Sequence, residues 1–561
     1  MNARLDAEGA IVGAVLWRGE TALRELPDDL VSRLSSVRLR AALSSALRLD
    51  ARNVPVDLVS VTADLRSRGE LRTAGGAAFL ASLLDGPPLN GNLAARIAQL
   101  DDLPRPGVSD LPDLTDEANR TDTGAGRALV ALHGRDLRYV HGQGYRVWNG
   151  RAWASDETGC VMGYAKATAS AMLKAAADIG NGAIRAKAVR WALGAHGRYR
   201  LQAMIDLAAS EPGIAVAADR FDRDPWLLNA INGTLDLRTG ELRPHDRGHM
   251  ITKIVGAVYD AAATCPTWES FLNRIMAGNR DLIAFLHRAI GYALTGRTTE
   301  QCLFVLHGGG SNGKSTLINV VLELLGDYAR QAPPDAFLSR RADGHPTAIA
   351  GLQGRRFVAA VETDEGRRLG EALVKGLTGG DRVSARLLYQ DYRDFTPEFK
   401  LWLALNHLPT IRGTDHAIWR RVRVIPFTVT IPDSEQDKAL PDKLRAELPG
   451  ILAWAVRGCL AWQREGLGTP PDVSDATARY RQEQDALGRF LDEMYVRQEG
   501  AVVPKGPFYS DYAAWCKASG EIPASQRVVS ERMTERGLGA RRDKHGRYWL
   551  GIKPAAPETS G

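Results

Sequence analysis

The chain has 561 residues, 44% hydrophobic and 25% charged, with a net charge of +6. At about 100–200 residues per domain this length predicts three to five domains, and the composition excludes bulk disorder. No run of about 18 apolar residues occurs, so no transmembrane helix and no membrane partner are expected. The small basic excess is compatible with nucleic acid without pointing to it. The first residues lead into an amphipathic pattern rather than a signal peptide. Cysteines at 160, 265, 302, 459 and 516 never fall in a CxxC spacing, which predicts free thiols in a reducing cytosol and neither a disulfide scaffold nor a zinc ribbon.

Residues 1–100 read as an all-α domain: Ile11, Val12, Val15 and Leu16 have helical spacing, as do Leu30, Leu34, Val37 and Leu43, and Pro55-Val56-Asp57 opens another helix. Residues 101–122, rich in aspartate and proline, read as a linker. Residues 123–264 read as an α+β domain. Asn149-Gly150 between apolar runs predicts a hairpin, 164–209 is alanine-rich and helical, and 226–242 predicts a second hairpin. From 265 to 470 helices alternate with apolar strands, at 302–306, 356–361, 400–405 and 423–426, the pattern of an α/β domain. Residues 471–561 predict helices over 479–497, 509–518 and 526–536, then a basic hairpin over 541–552.

The strongest motif is Gly308-Gly309-Gly310-Ser311-Asn312-Gly313-Lys314-Ser315-Thr316, which fits GxxxxGK followed by Ser, with an apolar strand before it and a helix after it. Glycines let backbone N–H groups turn toward phosphates, and the helix N-terminus favours anions. Gly308, Gly310, Asn312, Gly313, Lys314, Ser315 and Thr316 are the candidate ATP-binding residues. Lys314 is expected on the β- and γ-phosphates, and Ser315 on Mg2+. A second acidic site is expected at the end of a neighbouring strand, and 357–361 ends in Glu362. Glu362 is the candidate to hold Mg2+ through water, and Asp364 or Glu365 to orient the attacking water; the alternative for these acids is helix capping. The strand 401–405 ends at Asn406, an amide able to sense the γ-phosphate or to position the water. Arg420 or Arg421 is placed to stabilise developing charge, from a neighbouring subunit where the chain assembles. The alternative for these arginines is a surface ion pair.

Taken in order, Gly310 to Thr316, the strand ending Glu362-Thr363-Asp364, Lys375 to Asp381, Phe399 to Trp402, Asn406-His407-Leu408-Pro409 and Trp419-Arg420-Arg421 resemble the superfamily 3 helicases of phages, plasmids and large DNA viruses. The nearest branch is the phage/plasmid primase-helicase type, and the resemblance spans roughly 125–430, with Leu227-Leu228-Asn229 and 232–237 as its lead-in. It implies an AAA+ P-loop ATPase that assembles into a ring, usually a hexamer, and translocates 3′ to 5′ on single-stranded DNA in the cytoplasm of a bacterial host. It also implies a hairpin projecting into the ring channel, here 384–395, where Lys375, Arg386, Tyr389 and Arg393 are the candidates for phosphate contact and base stacking. Asp391 and Asp394 oppose DNA locally. The tail resembles a winged helix, whose helix would enter the major groove of replication-origin DNA, with partner docking as the alternative.

Glu8–Leu16, Pro55–Val61, Leu65–Leu71 and Gly75–Leu80 resemble the N-terminal domain of DnaB-type replicative helicases, which packs into a collar and contacts primase. Neither a paired-aspartate primase strand nor zinc-binding cysteines are found, so a separate primase is the expected partner. The sequence therefore predicts a multidomain α/β protein: a central AAA+ P-loop ATPase, an all-α N-terminal domain, an α+β middle domain and a winged-helix-like C-terminal domain. Its expected activity is replicative DNA unwinding, with an ATP-switched initiator or helicase loader as the alternative. A DNA-packaging ATPase is disfavoured, since no nuclease-like acidic cluster follows.

Overall fold

The computed structural model describes residues 3–24, 26–27, 30–34, 37–52, 54–83, 111–339, 346–362, 367–386, 392–411 and 416–555. The chain divides into two compact units: Met1–Arg223 with Asn232–Thr234 and Arg243–Lys253, and Asp224–Ile231 with Leu235–Leu242 and Ile254–Gly561. Among the described residues no helix is long and apolar enough to cross a membrane. All five cysteines are free, and all but Cys160 are buried.

The first unit opens with helices, the longest being Ala3–Arg18, Val37–Asp50 and Leu58–Ser67. Ile11, Val15, Leu43, Ala46, Val61 and Leu65 recur at helical spacing and close one core. Asp57 caps the third of these helices through a reciprocal pair with Ser60. Buried Asp64 accepts from Ser45 at 2.8 Å and pairs with Arg48 at 2.9 Å, which ties that helix to Val37–Asp50.

Part of the expected linker is folded. Leu114 is 4% exposed and belongs to the core of the next domain. The Arg120 guanidinium donates to the Leu114 carbonyl at 2.8 Å, and Thr121 caps the helix Asp122–His133. A segment of mostly polar composition is ordered here because its few apolar and arginine side chains find partners. The antiparallel strands β1 (Leu137–Val140), β2 (Gly144–Trp148) and β3 (Trp153–Ser155) follow, turning at Asn149-Gly150 as expected. The alanine-rich stretch is three helices, Cys160–Ala177, Gly182–Ala195 and Arg198–Ala208. The second expected hairpin is the small sheet β4 (Leu227–Ala230), β5 (Gly233–Asp236) and β6 (Glu241–Arg243).

The second unit is built on a five-stranded parallel sheet: β7 (Leu303–His307), β8 (Ala329–Gln331), β10 (Phe357–Glu362), β14 (Lys400–Leu405) and β15 (Val422–Pro426), in the order β15-β7-β14-β10-β8. Between them lie the short pairs β9 (Leu338–Ser339) with β11 (Arg368–Leu369) and β12 (Val383–Ala385) with β13 (Arg393–Phe395). The central strands read as unbroken apolar runs because both faces are buried. Phe304, Leu306, Phe357, Ala359, Trp402 and Ala404 enter one core, and their alternating neighbours Leu303, Val305, Val358, Ala360, Leu401 and Leu403 enter the other. Phe304 stacks on Trp402 with ring centres 4.2 Å apart, and Phe357 lies 5.4 Å away on the other side, an aromatic row across three strands.

The C-terminal part runs helix Ala486–Met494, β16 (Tyr495–Pro504), helices Lys505–Ala518 and Gln526–Glu535, then β17 (Ala540–Asp543) and β18 (Gly546–Pro554), with sheet order β16-β18-β17. Leu487, Phe490, Phe508, Tyr512, Val529, Met533 and Trp549 form its own core. The helix expected over 479–497 is divided. Pro471–Glu483 ends, Asp485 caps Ala486–Met494 by accepting from Gly488 N, and residues 495–497 belong to β16.

Candidate ATP site and nucleic-acid interface

Register aligns the functional strand ends. Leu405 pairs with His307 on one side and with Glu362 on the other, so the carboxyl ends of β7, β14 and β10 stand at one level. Asn406 follows β14 between the P-loop strand and the acidic strand. Crevices at the carboxyl ends of parallel strands are where ligands bind in such sheets.

The P-loop, 308–313, joins β7 to the helix Lys314–Leu325. Only glycine fits at two of its positions. A Cβ at Gly308 would meet the Phe427 carbonyl at 2.2 Å, and Gly313 has φ of 85° with Ile275 Cγ2 2.5 Å from the Cβ position. A Cβ at Gly309 or Gly310 would meet nothing within 4 Å, so that side of the loop is open. Asn312 is 3% exposed, and its amide donates to the Gly309 carbonyl at 2.7 Å. Lys314 is 6% exposed, and its Nζ donates to the Gly308 and Gly309 carbonyls at 2.7 Å each and to Asn312 Oδ1 at 3.0 Å. These partners are neutral dipoles, and burial pulls the ammonium down to a pKa of about 8. A desolvated cation beside an open glycine loop and a helix N-terminus suits a phosphate chain. Ser315 is exposed and Thr316 half-buried.

Glu362 is 10% exposed at the end of β10 and pairs with Arg367 at 3.2 Å; the same guanidinium reaches Asp335 at 2.5 Å. The sequence reading missed Arg367. Its position five residues after the strand-end acid is the one signal that could have found it. His307 is a second omission. Burial and the neighbouring Lys314 charge hold its imidazole below the ordinary histidine range, against the opposing pull of Glu483 and of the Asn406 backbone. Asp364 and Glu365 lie outside the described residues.

The two adjacent arginines separate. Arg420 is exposed and donates to Gln301 Oε1 at 3.0 Å. Arg421 is 8% exposed and donates to Thr378 Oγ1 at 3.2 Å and to the Ala417 carbonyl at 2.6 Å.

The expected hairpin is present as the β12–β13 ladder, Val383 facing Phe395 and Ala385 facing Arg393. Its tip, with Tyr389, lies outside the described residues, and Arg393 is placed by its backbone pairing alone. The Arg386 guanidinium lies 5.2 Å over the ring of Tyr392, which is 59% exposed. Lys375 is half-buried on the helix Glu371–Gly379.

Two families of known proteins match stretches of the chain that precede this arrangement. The family described as DnaB-like helicase N terminal domain matches residues 1–102, and that described as D5 N terminal like matches 126–277. Residues 1–102 and 126–277 are thus similar to these two domains. That bears out the resemblance to the phage/plasmid primase-helicase type and to the DnaB-type N-terminal domain. A protein of Acanthamoeba polyphaga mimivirus named as a helicase is 28% identical over 53% of this chain and 34% of its own length. A protein of African swine fever virus named as a primase is 27% identical over 53% of this chain and 34% of its own length. The chain thus spans about a third of the length of these relatives. Among solved structures, the apo C-terminal region of NrS-1 overlays with a TM-score of 0.36 at 10% identity, over 53% of this chain and 76% of that chain.

Proposed function

We propose that the protein is an ATP-driven replicative DNA helicase of a phage or prophage. The observation that carries this reading is the alignment of the P-loop, Asn406 and Glu362 on three adjacent strand ends, with an exposed arginine, Arg420, in the same domain. The relatives named as helicases support it. ATP is the substrate: Gly308, Gly310, Asn312, Gly313, Lys314 and Thr316 hold its phosphates. Ser315 and Glu362 would hold Mg2+, which would supply charge neutralisation on the phosphates. Lys314 exchanges its loop carbonyls for phosphate oxygens. Asn406 positions the attacking water, with Asp364 or Glu365 as its orienting acid. Arg420 acts across a subunit boundary in a ring, usually a hexamer in the family it resembles, whereas Arg421 braces the segment that carries it.

The β12–β13 hairpin tracks single-stranded DNA, 3′ to 5′, through Arg386, Arg393, Tyr389 and Lys375. The order helix–strand–helix–helix–strand–strand after residue 485 is that of a winged helix, which supports an origin- or fork-binding C-terminal domain. The DnaB-like domain recruits a separate primase. Single-stranded DNA should stimulate ATP hydrolysis, and both Lys314→Ala and Glu362→Gln should abolish hydrolysis in folded protein. Wild-type rates in either variant would remove the site assignment.

A further inference from the structure

We propose that the β17–β18 hairpin, rather than the helix before it, is the surface that holds duplex DNA, gripping the phosphate backbone through Lys505, Arg542 and Arg547. The proposal rests on the reading of this protein as a DNA helicase.

The three cations form a row across the sheet. Arg542 on β17 stands directly opposite Arg547 on the central strand β18. On the other side of β18, Lys505 begins the helix that follows β16, with its Nζ 3.5 Å over the ring of Trp549, two residues along from Arg547. Burial and the Arg547 charge hold the Lys505 ammonium below the ordinary lysine range. Like charges directly opposite on a ladder are destabilising. The acid inside the hairpin does not relieve them. Asp543 accepts from the backbone N–H of His545 at 2.8 Å and of Gly546 at 3.1 Å, closing the turn, and pairs with Arg541 at 3.2 Å. Lys544 adds another exposed cation at the turn. Among the described residues no carboxylate pairs with Arg542, Arg547 or Lys505. A fold that keeps a row of cations at its own cost is built for a polyanion.

The helix Gln526–Glu535 lacks this character. Arg527 is paired with Glu531 at 3.6 Å, and Arg536, just beyond the helix, holds Asp485 through both carboxylate oxygens. Arg532, Glu535 and Arg536 line a cavity of 170 Å³ together with Trp419 and Arg481, so the end of this helix adjoins the ATPase part.

The two large aromatic rings of the hairpin also lie under cations. Trp549 is 1% exposed under Lys505, and Tyr548 lies under the Arg541 guanidinium at 5.6 Å. With these rings covered, binding goes to phosphates and is insensitive to sequence. That suits the regular backbone of a duplex, and leaves single strands to the β12–β13 hairpin.

The test uses the full-length chain and a blunt duplex without single-stranded ends, followed by fluorescence anisotropy across salt concentrations. Arg542→Gln with Arg547→Gln should lower the slope of log affinity against log salt by about two, since each phosphate contact contributes about 0.9. Arg527→Gln should leave the slope unchanged, as should a change of duplex sequence. A loss confined to Arg527→Gln would overturn the proposal in favour of the helix. An unchanged slope in the folded double variant would also overturn it and leave the hairpin as a protein-docking surface. Single-strand-stimulated ATPase, measured on the same preparations, separates the two readings: its absence in the wild type removes the helicase reading, whereas the duplex slope decides the hairpin.

Discussion

Arg420 and Arg421 are neighbours in sequence with opposite environments, and replacing each by alanine should separate stability from catalysis. Removing the Arg421 guanidinium leaves the half-buried Ala417 carbonyl without its donor at 2.6 Å and takes one of two partners from the buried Thr378 hydroxyl, which still donates to the Val374 carbonyl at 2.7 Å. At about 1–3 kcal/mol for a group left unsatisfied, the loss is about 2 kcal/mol, which for a domain of this size is roughly 4–8 °C in melting temperature. Arg420 is exposed with one neutral partner, Gln301, so its removal should cost no more than about 0.5 kcal/mol. An arginine stabilising the transferred phosphoryl group is worth about 10³–10⁵ in turnover, and Arg420→Ala should lose activity on that scale. Thermal melts and ATPase rates read both effects. Mixing Arg420→Ala with Lys314→Ala should restore part of the activity, because some interfaces then pair an intact P-loop with an intact arginine. A stable, inactive Arg421→Ala beside an active Arg420→Ala would refute the assignment. Absence of recovery in shown co-assemblies would refute action across the interface.

With a pKa of about 8 in the nucleotide-free protein, Lys314 is mostly charged at pH 7 and mostly neutral at pH 9, whereas bound phosphates raise it. Nucleotide binding at pH 9 should therefore take up close to one proton, visible in calorimetry across buffers of different ionisation enthalpy, and affinity should fall as pH rises above 8. No uptake at pH 9 would place this lysine away from the phosphates. Replacing Arg386 and Arg393 together by alanine should weaken single-stranded DNA binding and flatten its salt dependence by about 0.7 per lost contact; an unchanged slope would move the single-strand surface elsewhere. Trp402 is fully buried between Phe304 and Phe357, and Trp402→Ala should cost about 3–5 kcal/mol in denaturant unfolding. Among the described residues its buried Nε1 finds no hydrogen-bond partner, so Trp402→Phe should cost much less.

The P-loop and the strands ending at Glu362 and Asn406 were legible because a doubly buried parallel strand must be apolar along its whole length and turn polar where it leaves the sheet. The hairpin at Asn149-Gly150 was legible because its turn chemistry is local. Strand β16 was not. Residues 496–500 are exposed, and the β16–β18 register shifts between Arg497 and Val502, so neither alternation nor a continuous apolar run marks the strand. The break at Gln484-Asp485 was hidden because its causes lie elsewhere in the fold: Gln484 accepts from Ile411 N, and Asp485 holds Arg536. The different environments of Arg420 and Arg421 depend on Thr378 and Gln301, far away in sequence, and no local pattern distinguishes two consecutive arginines.

ATP turnover at the aligned strand ends is expected to drive separation of DNA strands. The most direct measurement is displacement of a labelled strand from a duplex with a 3′ single-stranded tail, comparing wild type with Lys314→Ala. The wild type should displace the strand in an ATP-dependent manner and the variant should not, with a 5′-tailed duplex left intact. ATP hydrolysis and DNA binding without displacement on either substrate would contradict this expectation and identify an ATP-switched initiator or loader instead.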